Sequence, residues 1–313
     1  MYRIGIDLGG TNIAVGVVDE DYRIVGTAKC KTALPRPAEE IVEDMARTAE
    51  AAVCSASLTM ADIASVGVGC PGTCNGDTGI VEYSNNLRFD HLPLKEMLTR
   101  RLNKPVFVDN DANVAALGEA VAGAAKGVRT CVCITLGTGV GSGIIIDGKI
   151  YSGSNFAGAE IGHSAIMVDG EECTCGRRGC WEAYASATAL IRQTKKAMEE
   201  HPDSAMNAIA EAAGRVTGRT AFDAMRAGDA AGKAVVDAYI RYVGTGLVNV
   251  INIFQPEVLC IGGGICNEGE TLLAPLRRMI EEERYSKYSE KQTKLCVATL
   301  GNDAGIIGAA ALR

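Results

Sequence analysis

"IGIDLGGTNIAVGVVD" (4–19) and "VCITLGTGVGSGIIID" (132–147) align without a gap, which reveals an internal repeat in the chain. Each stretch is a β-branched run, a turn of glycines with threonine, and a second β-branched run with a polar end. This pattern predicts two strands joined by a tight turn. Taken singly, each stretch is better explained as an ordinary hairpin. A glycine turn lets a ligand approach its backbone N–H groups, so the gapless match favours duplicated domains with two phosphate loops.

Strands and helices alternate around the repeat, which predicts an α/β fold. Short buried strands are predicted at 64–72, 104–111 and 258–266, and helices at 37–57, 111–125 and 302–313, with 186–252 mostly helical.

The composition excludes several classes of protein. The 313 residues are enough for two domains, and 47% apolar with 22% charged residues is typical of a soluble globular chain. The formal charge of −7 argues against a nucleic-acid partner. We find no signal peptide and no uninterrupted run of eighteen apolar residues, so no membrane span is expected. Twelve cysteines without a secretory signal indicate a reducing compartment, and we expect a cytoplasmic protein.

The stretch "CTCGRRGCWE" (173–182) concentrates three cysteines, and its spacing favours a structural zinc site. Cys173, Cys175 and Cys180 supply three ligands, and His163 is the candidate for the fourth. Free thiols are the main alternative. A redox pair is less favoured because the C-x-x-C spacing is missing. Glu160 and Glu182 flank these ligands, and each taken alone reads as a solvated acid at a helix start.

A second polar cluster follows an apolar strand in "VFVDNDANVAAL" (106–117). Carboxylates at the end of such a strand are typical of α/β active sites. Asp111 is a candidate general base, and an ordinary helix N-cap is the equal alternative. We assign Asp109 no catalytic role. No G-x-x-x-x-G-K-[ST] stretch occurs, which excludes a P-loop kinase.

Six motifs together resemble the ROK family of sugar kinases and repressors. They are "DLGGTN", "VDNDAN", "LGTGVGSG", "GAEIGH", "CTCGRRGCWE" and "IGGGI", and they occur in the family's order over essentially the whole chain. The resemblance implies an actin-like, hexokinase-like (RNase-H-like) two-lobed fold of duplicated βββαβα-type domains with a cleft between them. We place a small lobe at 1–117, with the helix at 302–313 returning to it. The large lobe, with the zinc knuckle and dimerisation helices, is placed at 118–301.

The activity that the resemblance implies is that of an ATP- and Mg²⁺-dependent hexose kinase, most similar to bacterial glucokinases. Asp111 is then the general base. The implied sugar contacts are Gly72, Asn86, Asn110, Asp111, Glu160, His163 and Glu182. The implied ATP and Mg²⁺ contacts are Asp7, Gly9, Gly10, Thr11, Asn12, Thr138, Gly139, Gly263 and Gly264. The zinc ligands, matched in the family, are His163, Cys173, Cys175 and Cys180.

The chain departs from the family pattern after Asn86. Arg88, Phe89 and Asp90 stand where the family often has proline, glycine and tryptophan, which leaves the sugar open among glucose, N-acetylmannosamine, fructose and allose. The repressors carry a DNA-binding domain before the first strand, and this strand starts at residue 2, so we expect a kinase. A catalytically silent sugar sensor is the rival from another class, and a chaperone-like actin-fold ATPase is the third. A homodimer, or a dimer of dimers, is expected from the resemblance.

Overall fold

The computed structural model describes all 313 residues. They group into two compact units. Unit 1 consists of Met1–Cys133, Gly143–Ala159 and Ala298–Arg313, and unit 2 of Ile134–Ser142 and Glu160–Val297. The lobe boundary predicted after residue 117 stays a prediction.

The strands alternate with helices as the sequence predicts. In chain order the strands are β1 (Tyr2–Leu8), β2 (Asn12–Val18), β3 (Ile24–Lys31), β4 (Ile63–Cys70), β5 (Thr73–Asn75), β6 (Ile80–Ser84), β7 (Phe89–Leu92), β8 (Val106–Asn110), β9 (Cys131–Leu136), β10 (Val140–Ile146), β11 (Lys149–Ile150), β12 (Val258–Gly262) and β13 (Lys294–Val297). The α-helices are α1 (Ala38–Ser55), α2 (Leu94–Leu102), α3 (Asp111–Val121), α4 (Glu182–Ala185), α5 (Ala187–Glu200), α6 (Ala205–Ala212), α7 (Thr220–Arg226), α8 (Ala230–Phe254), α9 (Glu270–Glu283) and α10 (Asp303–Ala311).

The two five-stranded sheets repeat one topology. The first has the order β3-β2-β1-β4-β8 and the second β11-β10-β9-β12-β13. Strand for strand, the first hairpin corresponds to β9–β10, and the parallel pair β4–β8 corresponds to the parallel pair β12–β13. The structure thus confirms the duplicated fold. The predicted strand 258–266 is shorter than expected, because a 3-10 turn replaces it from Gly264 onward.

Apolar side chains fill the space beneath the first sheet. The inner faces of β1, β2 and β4 carry fully buried Ile, Leu and Val residues, and α1 packs its apolar stripe against β2 and β3. The three-stranded sheet β5-β6-β7 and helix α2 complete this part of unit 1. Burial of that much apolar surface is the main stabilising term of the unit.

Helix α10 covers the other face of the first sheet at very short range. A Cβ added at Gly5 would lie 1.8 Å from the carbonyl oxygen of Ile306, and one at Gly67 would lie 1.7 Å from that of Ala309. Helix α10 meets α3 in the same way, because a Cβ on Gly308 would lie 1.8 Å from the carbonyl oxygen of Val114. Glycine is required at these positions because two backbones occupy the space of a side chain.

A buried carboxylate that the sequence analysis did not single out anchors the segment before α10. Glu119 is 2% exposed. Its two oxygens accept hydrogen bonds from the backbone N–H groups of Ala124 at 2.7 Å, Thr299 at 3.0 Å and Leu300 at 2.8 Å. Charge-assisted bonds of this kind offset the cost of burying the carboxylate. Glu119 therefore fixes the end of α3 to the start of the final helix.

Helix α8 is the only helix long and apolar enough to span a membrane by length and composition. Most of that stretch, 61%, is buried inside the structure. Asp237 and Arg241 interrupt the apolar run. The indole of Trp181 fits against Gly246 of this helix and donates its N–H to the carbonyl oxygen of Tyr242 at 2.8 Å. Helix α8 is accordingly packed as the core helix of unit 2.

We expect Gly67→Ala to destabilise unit 1 by about 1–3 kcal/mol, because the new Cβ forces α10 off the sheet. Gly218→Ala is the matched control, since a Cβ there lies in ordinary contact, 3.9 Å from Leu190. The shift of the urea unfolding midpoint measures both. Equal midpoints for the two variants would show that α10 tolerates displacement.

Candidate functional site

The junction of β8 and α3 presents an asparagine and an aspartate side by side. Asn110 is the N-cap of α3, and its Oδ1 accepts hydrogen bonds from the N–H groups of Ala112 at 2.9 Å and Asn113 at 3.2 Å. Its Nδ2 donates to the carbonyl oxygen of Gly72 at 3.0 Å. Because Asn110 caps the helix, the carboxylate of Asp111 is not needed as the cap. The Oδ1 of Asp111 also accepts the N–H of Ala112, at 2.9 Å.

Three carboxylates in unit 1 have raised pKa values. Burial raises the pKa of Asp111 and that of Asp109. Burial, with a smaller contribution from the charge of Asp111, raises the pKa of Asp7 to about 6. Two interacting carboxylates with poor solvation favour a cation or a proton nearby, which is typical of functional sites.

Asp109 binds neighbouring groups of the β8–α3 junction. Its Oδ1 accepts the N–H of Asn110 at 2.7 Å and the Nδ2 of Asn113 at 3.0 Å. Asn113 is 3% exposed and is a residue that sequence reasoning missed. Its signal was only an amide one helical turn after Asp109.

The first glycine turn joins β1 to β2 and is held by its carbonyl groups. Gly9 donates its N–H to the carbonyl oxygen of Asn12 at 2.9 Å. Thr32, another residue missed in the sequence, donates its hydroxyl to the carbonyl oxygen of Gly9 at 2.6 Å and its N–H to that of Thr11 at 3.0 Å. Gly10, Thr11 and Asn12 are exposed. The turn is therefore a fixed loop with an open outer side.

Two further predicted sugar contacts lie on turns of the same unit. Gly72 joins β4 to β5 with φ 110°, and a Cβ there would lie 2.2 Å from the carbonyl oxygen of Tyr83. Only glycine fits this conformation and this space. Asn86 is exposed on the turn between β6 and β7, two residues before Arg88, which has φ 57°.

The second glycine turn, in unit 2, joins β9 to β10. Gly137 donates its N–H to the carbonyl oxygen of Gly139 at 3.0 Å. The N–H of Ala187 and the hydroxyl of Thr188, in the first turn of α5, bond the carbonyl oxygens of Gly137 and Thr138, both at 2.8 Å. The start of α5 thus fixes this loop from behind.

The predicted adenosine wall follows β12. Gly263 has φ 103°, and a Cβ there would lie 2.2 Å from the carbonyl oxygen of Leu136. Gly264 opens a 3-10 turn, and a Cβ on it would meet nothing within 4 Å. A side chain at position 263 would collide with the backbone of Leu136, whereas a side chain at position 264 would meet no neighbouring atom.

The four predicted zinc ligands come together. One ligand atom from each of His163, Cys173, Cys175 and Cys180 lies within 4.8 Å of the others. The Sγ atoms of Cys175 and Cys180 are 3.7 Å apart, and Cys173 Sγ is 3.5 Å from His163 Nδ1. Tetrahedral zinc with Zn–S bonds of about 2.3 Å requires S–S separations of about 3.8 Å. The residues present fit a closed four-ligand site.

The backbone of the knuckle explains why glycines punctuate it. Gly176 has φ 86° and Gly179 has φ 79°. A Cβ on Gly179 would lie 1.7 Å from the carbonyl oxygen of Met167. Glycine therefore permits the turns that bring the three thiols together.

Two thiols of the knuckle differ in pKa. A backbone hydrogen bond lowers the pKa of Cys175, whereas burial raises the pKa of Cys180 to about 12.

The two glutamates beside the cluster have different settings. Glu160 is exposed and precedes the 3-10 turn Ile161–His163. Glu182 is half-buried at the start of α4, and its Oε2 accepts the N–H of Val140 at 2.9 Å. Its Oε1 accepts the hydroxyl of Thr174 at 3.2 Å. Glu182 thereby joins the cysteine cluster to the second glycine turn.

Comparison with known proteins identifies the relatives of this chain. A glucokinase of Streptomyces coelicolor is 38% identical over 312 residues, covering 99% of this chain and 96% of that protein. A solved ROK family glucokinase from Streptomyces griseus, in complex with glucose and AMPPNP, has a TM-score of 0.79 and 37% identity, covering 100% of this chain and 99% of that one. A solved ROK hexokinase from Thermus thermophilus has a TM-score of 0.81 and 33% identity, covering 99% and 97%.

The family model for the ROK family matches residues 3–313. The resemblance read from the six motifs is confirmed, and the two-lobed sugar kinase fold with it. The chain belongs to the ROK family.

Proposed function

We propose that the protein is an ATP-dependent hexose kinase that transfers the γ-phosphoryl group of ATP to the 6-hydroxyl of D-glucose. One observation carries the catalytic step: Asn110 caps α3, so the adjacent carboxylate of Asp111 remains available as a base. The likeness to glucokinases over nearly the whole chain supports the substrate class. A shared fold alone would not support it, because function depends on the site.

Asp111 accepts the proton of the attacking hydroxyl. Burial raises its pKa, which brings its proton affinity closer to that needed at neutral pH. Asn110 still has one amide hydrogen for the sugar after bonding the carbonyl oxygen of Gly72. Gly72 and Asn86 provide the remaining sugar contacts of unit 1.

Unit 2 contributes Glu160, His163 and Glu182 to the hydroxyls of the sugar ring. His163 turns its Nδ1 toward the cysteines, so its Nε2 is the nitrogen left for a sugar hydroxyl. A metal-bound imidazole keeps its second nitrogen as a donor in a fixed orientation. Carboxylates accept hydrogen bonds from ring hydroxyls, which suits the two glutamates.

The phosphates of ATP are held by the two glycine turns. Gly9, Gly10, Thr11 and Asn12 of the first turn are assigned to the terminal phosphates, and Thr138 and Gly139 of the second turn to the phosphates as well. Gly263 and Gly264 border the adenosine. Asp7 would help to hold Mg²⁺, and its poorly solvated carboxylate fits a divalent cation. When bound, Mg²⁺ neutralises charge on the transferring phosphoryl group.

We further propose that the four-ligand cluster holds structural zinc, that the protein is cytoplasmic, and that it forms a homodimer or a dimer of dimers. Zinc takes no part in the reaction. It would fix the segment from Glu160 to Glu182, which carries three of the proposed sugar contacts.

We expect purified protein to contain one zinc per chain, and Cys175→Ser to lose it with a lowered melting temperature. Cys175 is an exposed residue, so we expect serine to add no packing defect there. Cys54→Ser is the matched control, since Cys54 is also exposed and lies on α1. Metal analysis and thermal unfolding measure the two effects. A fully active preparation without zinc would refute the site.

Sugar-dependent ADP release with Mg-ATP tests the function. We expect turnover with glucose above mannose, fructose, allose, N-acetylglucosamine and N-acetylmannosamine. Asp111→Asn should lower kcat by about 10²–10⁴-fold, because the amide cannot accept the proton. Asp109→Asn is the control, since its amide oxygen still accepts both bonds and kcat should stay within tenfold. Near-normal turnover of folded Asp111→Asn would exclude Asp111 as the base, and silence with all six sugars would favour a sensor.

Activity and stability should change in opposite directions on acidification from pH 7 to pH 5. The base must be ionised, so kcat/KM falls as the raised pKa of Asp111 and that of Asp7, about 6, are approached. Both pKa values are higher in the folded state, so the folded protein binds more protons and its free energy of unfolding rises as pH falls. Asp7→Asn should weaken that rise. Equal pH slopes in urea unfolding of both proteins would contradict this.

A further inference from the structure

The carboxylate of Glu182 contacts two functional segments at once. Its Oε2 accepts the N–H of Val140, the residue that follows the second glycine turn, at 2.9 Å. Its Oε1 accepts the hydroxyl of Thr174 at 3.2 Å and lies 3.8 Å from Cys173 Sγ. A single side chain therefore connects the loop assigned to phosphate with the segment assigned to zinc and sugar.

The glycine at position 139 is explained by this contact. A Cβ added there would lie 2.3 Å from Glu182 Oε2, whereas a Cβ at Gly137 would meet nothing within 4 Å. Neither glycine has a φ in the left-handed region, so backbone conformation does not require glycine at either place. A side chain at position 139 would therefore displace the carboxylate of Glu182 from its place beside the turn.

We propose that Glu182 couples sugar binding to nucleotide binding, by holding the second phosphate loop with Oε2 while Oε1 accepts a sugar hydroxyl. This inference rests on the proposed kinase function. Glu182 is a positioning residue for the loop, in addition to its assigned contact with the sugar. The ligand that would set the position of Glu182 is the sugar, a neutral ring whose hydroxyl groups can donate a hydrogen bond to the carboxylate.

The sign of the coupling follows from the hydrogen-bond capacity of the carboxylate. Each oxygen has two lone pairs, so a sugar hydroxyl can bond Oε1 while Val140 keeps Oε2. A sugar hydroxyl on Oε1 gives Glu182 a third partner beside Val140 and Thr174, and so reduces the remaining motion of its side chain and of the loop that it holds. The nucleotide then binds a loop with less residual motion and loses less entropy on binding. By linkage, sugar and nucleotide raise each other's affinity by the same factor.

Calorimetric titration of Mg-ADP into the wild-type protein, without and with saturating D-glucose, measures that factor. We expect glucose to lower the Kd of Mg-ADP by about fivefold or more. Gly139→Ala should bring the ratio of the two Kd values to within about twofold of one, because its Cβ displaces Oε2 from Val140. Gly137→Ala is the matched control on the same turn and should keep the wild-type ratio. A direct effect of either alanine on ADP binding changes both Kd values by the same factor, and it therefore cancels in their ratio.

Three outcomes overturn the inference. An equal Kd for Mg-ADP with and without glucose in the wild type would show no coupling, although glucose binds. The wild-type ratio in Gly139→Ala would show that coupling passes elsewhere, and a lost ratio in Gly137→Ala would show a general loop defect. Absence of heat or thermal stabilisation with every hexose would instead contradict the proposed function itself.

Discussion

The fold of unit 1 depends on one constraint, the direct contact of the α10 backbone with the first sheet and with α3. Carbonyl groups of α10 occupy the positions that side chains would need at Gly5 and Gly67. Strands β1 and β4 therefore pack directly against a helix from the far end of the chain. Glu119 fixes the approach to that helix through three backbone N–H groups. Rigid support of this kind keeps α3, which carries the proposed base Asp111, in place.

The β8–α3 junction separates structural from chemical tasks among neighbouring polar side chains. Asn110 provides the cap, and Asp109 binds the turn from inside through Asn113. Asp111 lies at the first position of α3 and accepts the N–H of Ala112. Backbone hydrogen bonds there lower its pKa, but burial raises it by more.

The sequence predicted the duplicated fold and the ligand set of the cysteine cluster, because both depend on local patterns. The repeat at 4–19 and 132–147 is visible as one order of apolar residues, glycines and threonine. The four candidate zinc ligands lie within eighteen positions of one another. Which residue caps α3 was not predictable, since Asn110 and Asp111 have similar capping preferences. Glu119, Thr32 and the Val140–Glu182 contact were missed because their partners are distant in sequence. The glycines of α10 read only as small residues until the backbones facing them were known.

The common strand order of the two sheets also makes the helices α3 and α10 equivalent to each other. β8 and β13 are counterparts, so α3 and α10, the helices that follow them, are counterparts as well. They also pack on each other, glycine against carbonyl, with Gly308 facing Val114 and Gly118 facing Ala304. Helix α3 carries the proposed proton acceptor, Asp111, in its first turn. Helix α10 occupies the equivalent position after β13 and packs against α3, so two equivalent helices of the duplicated fold differ in what they contribute: one carries the proposed base and the other supports it.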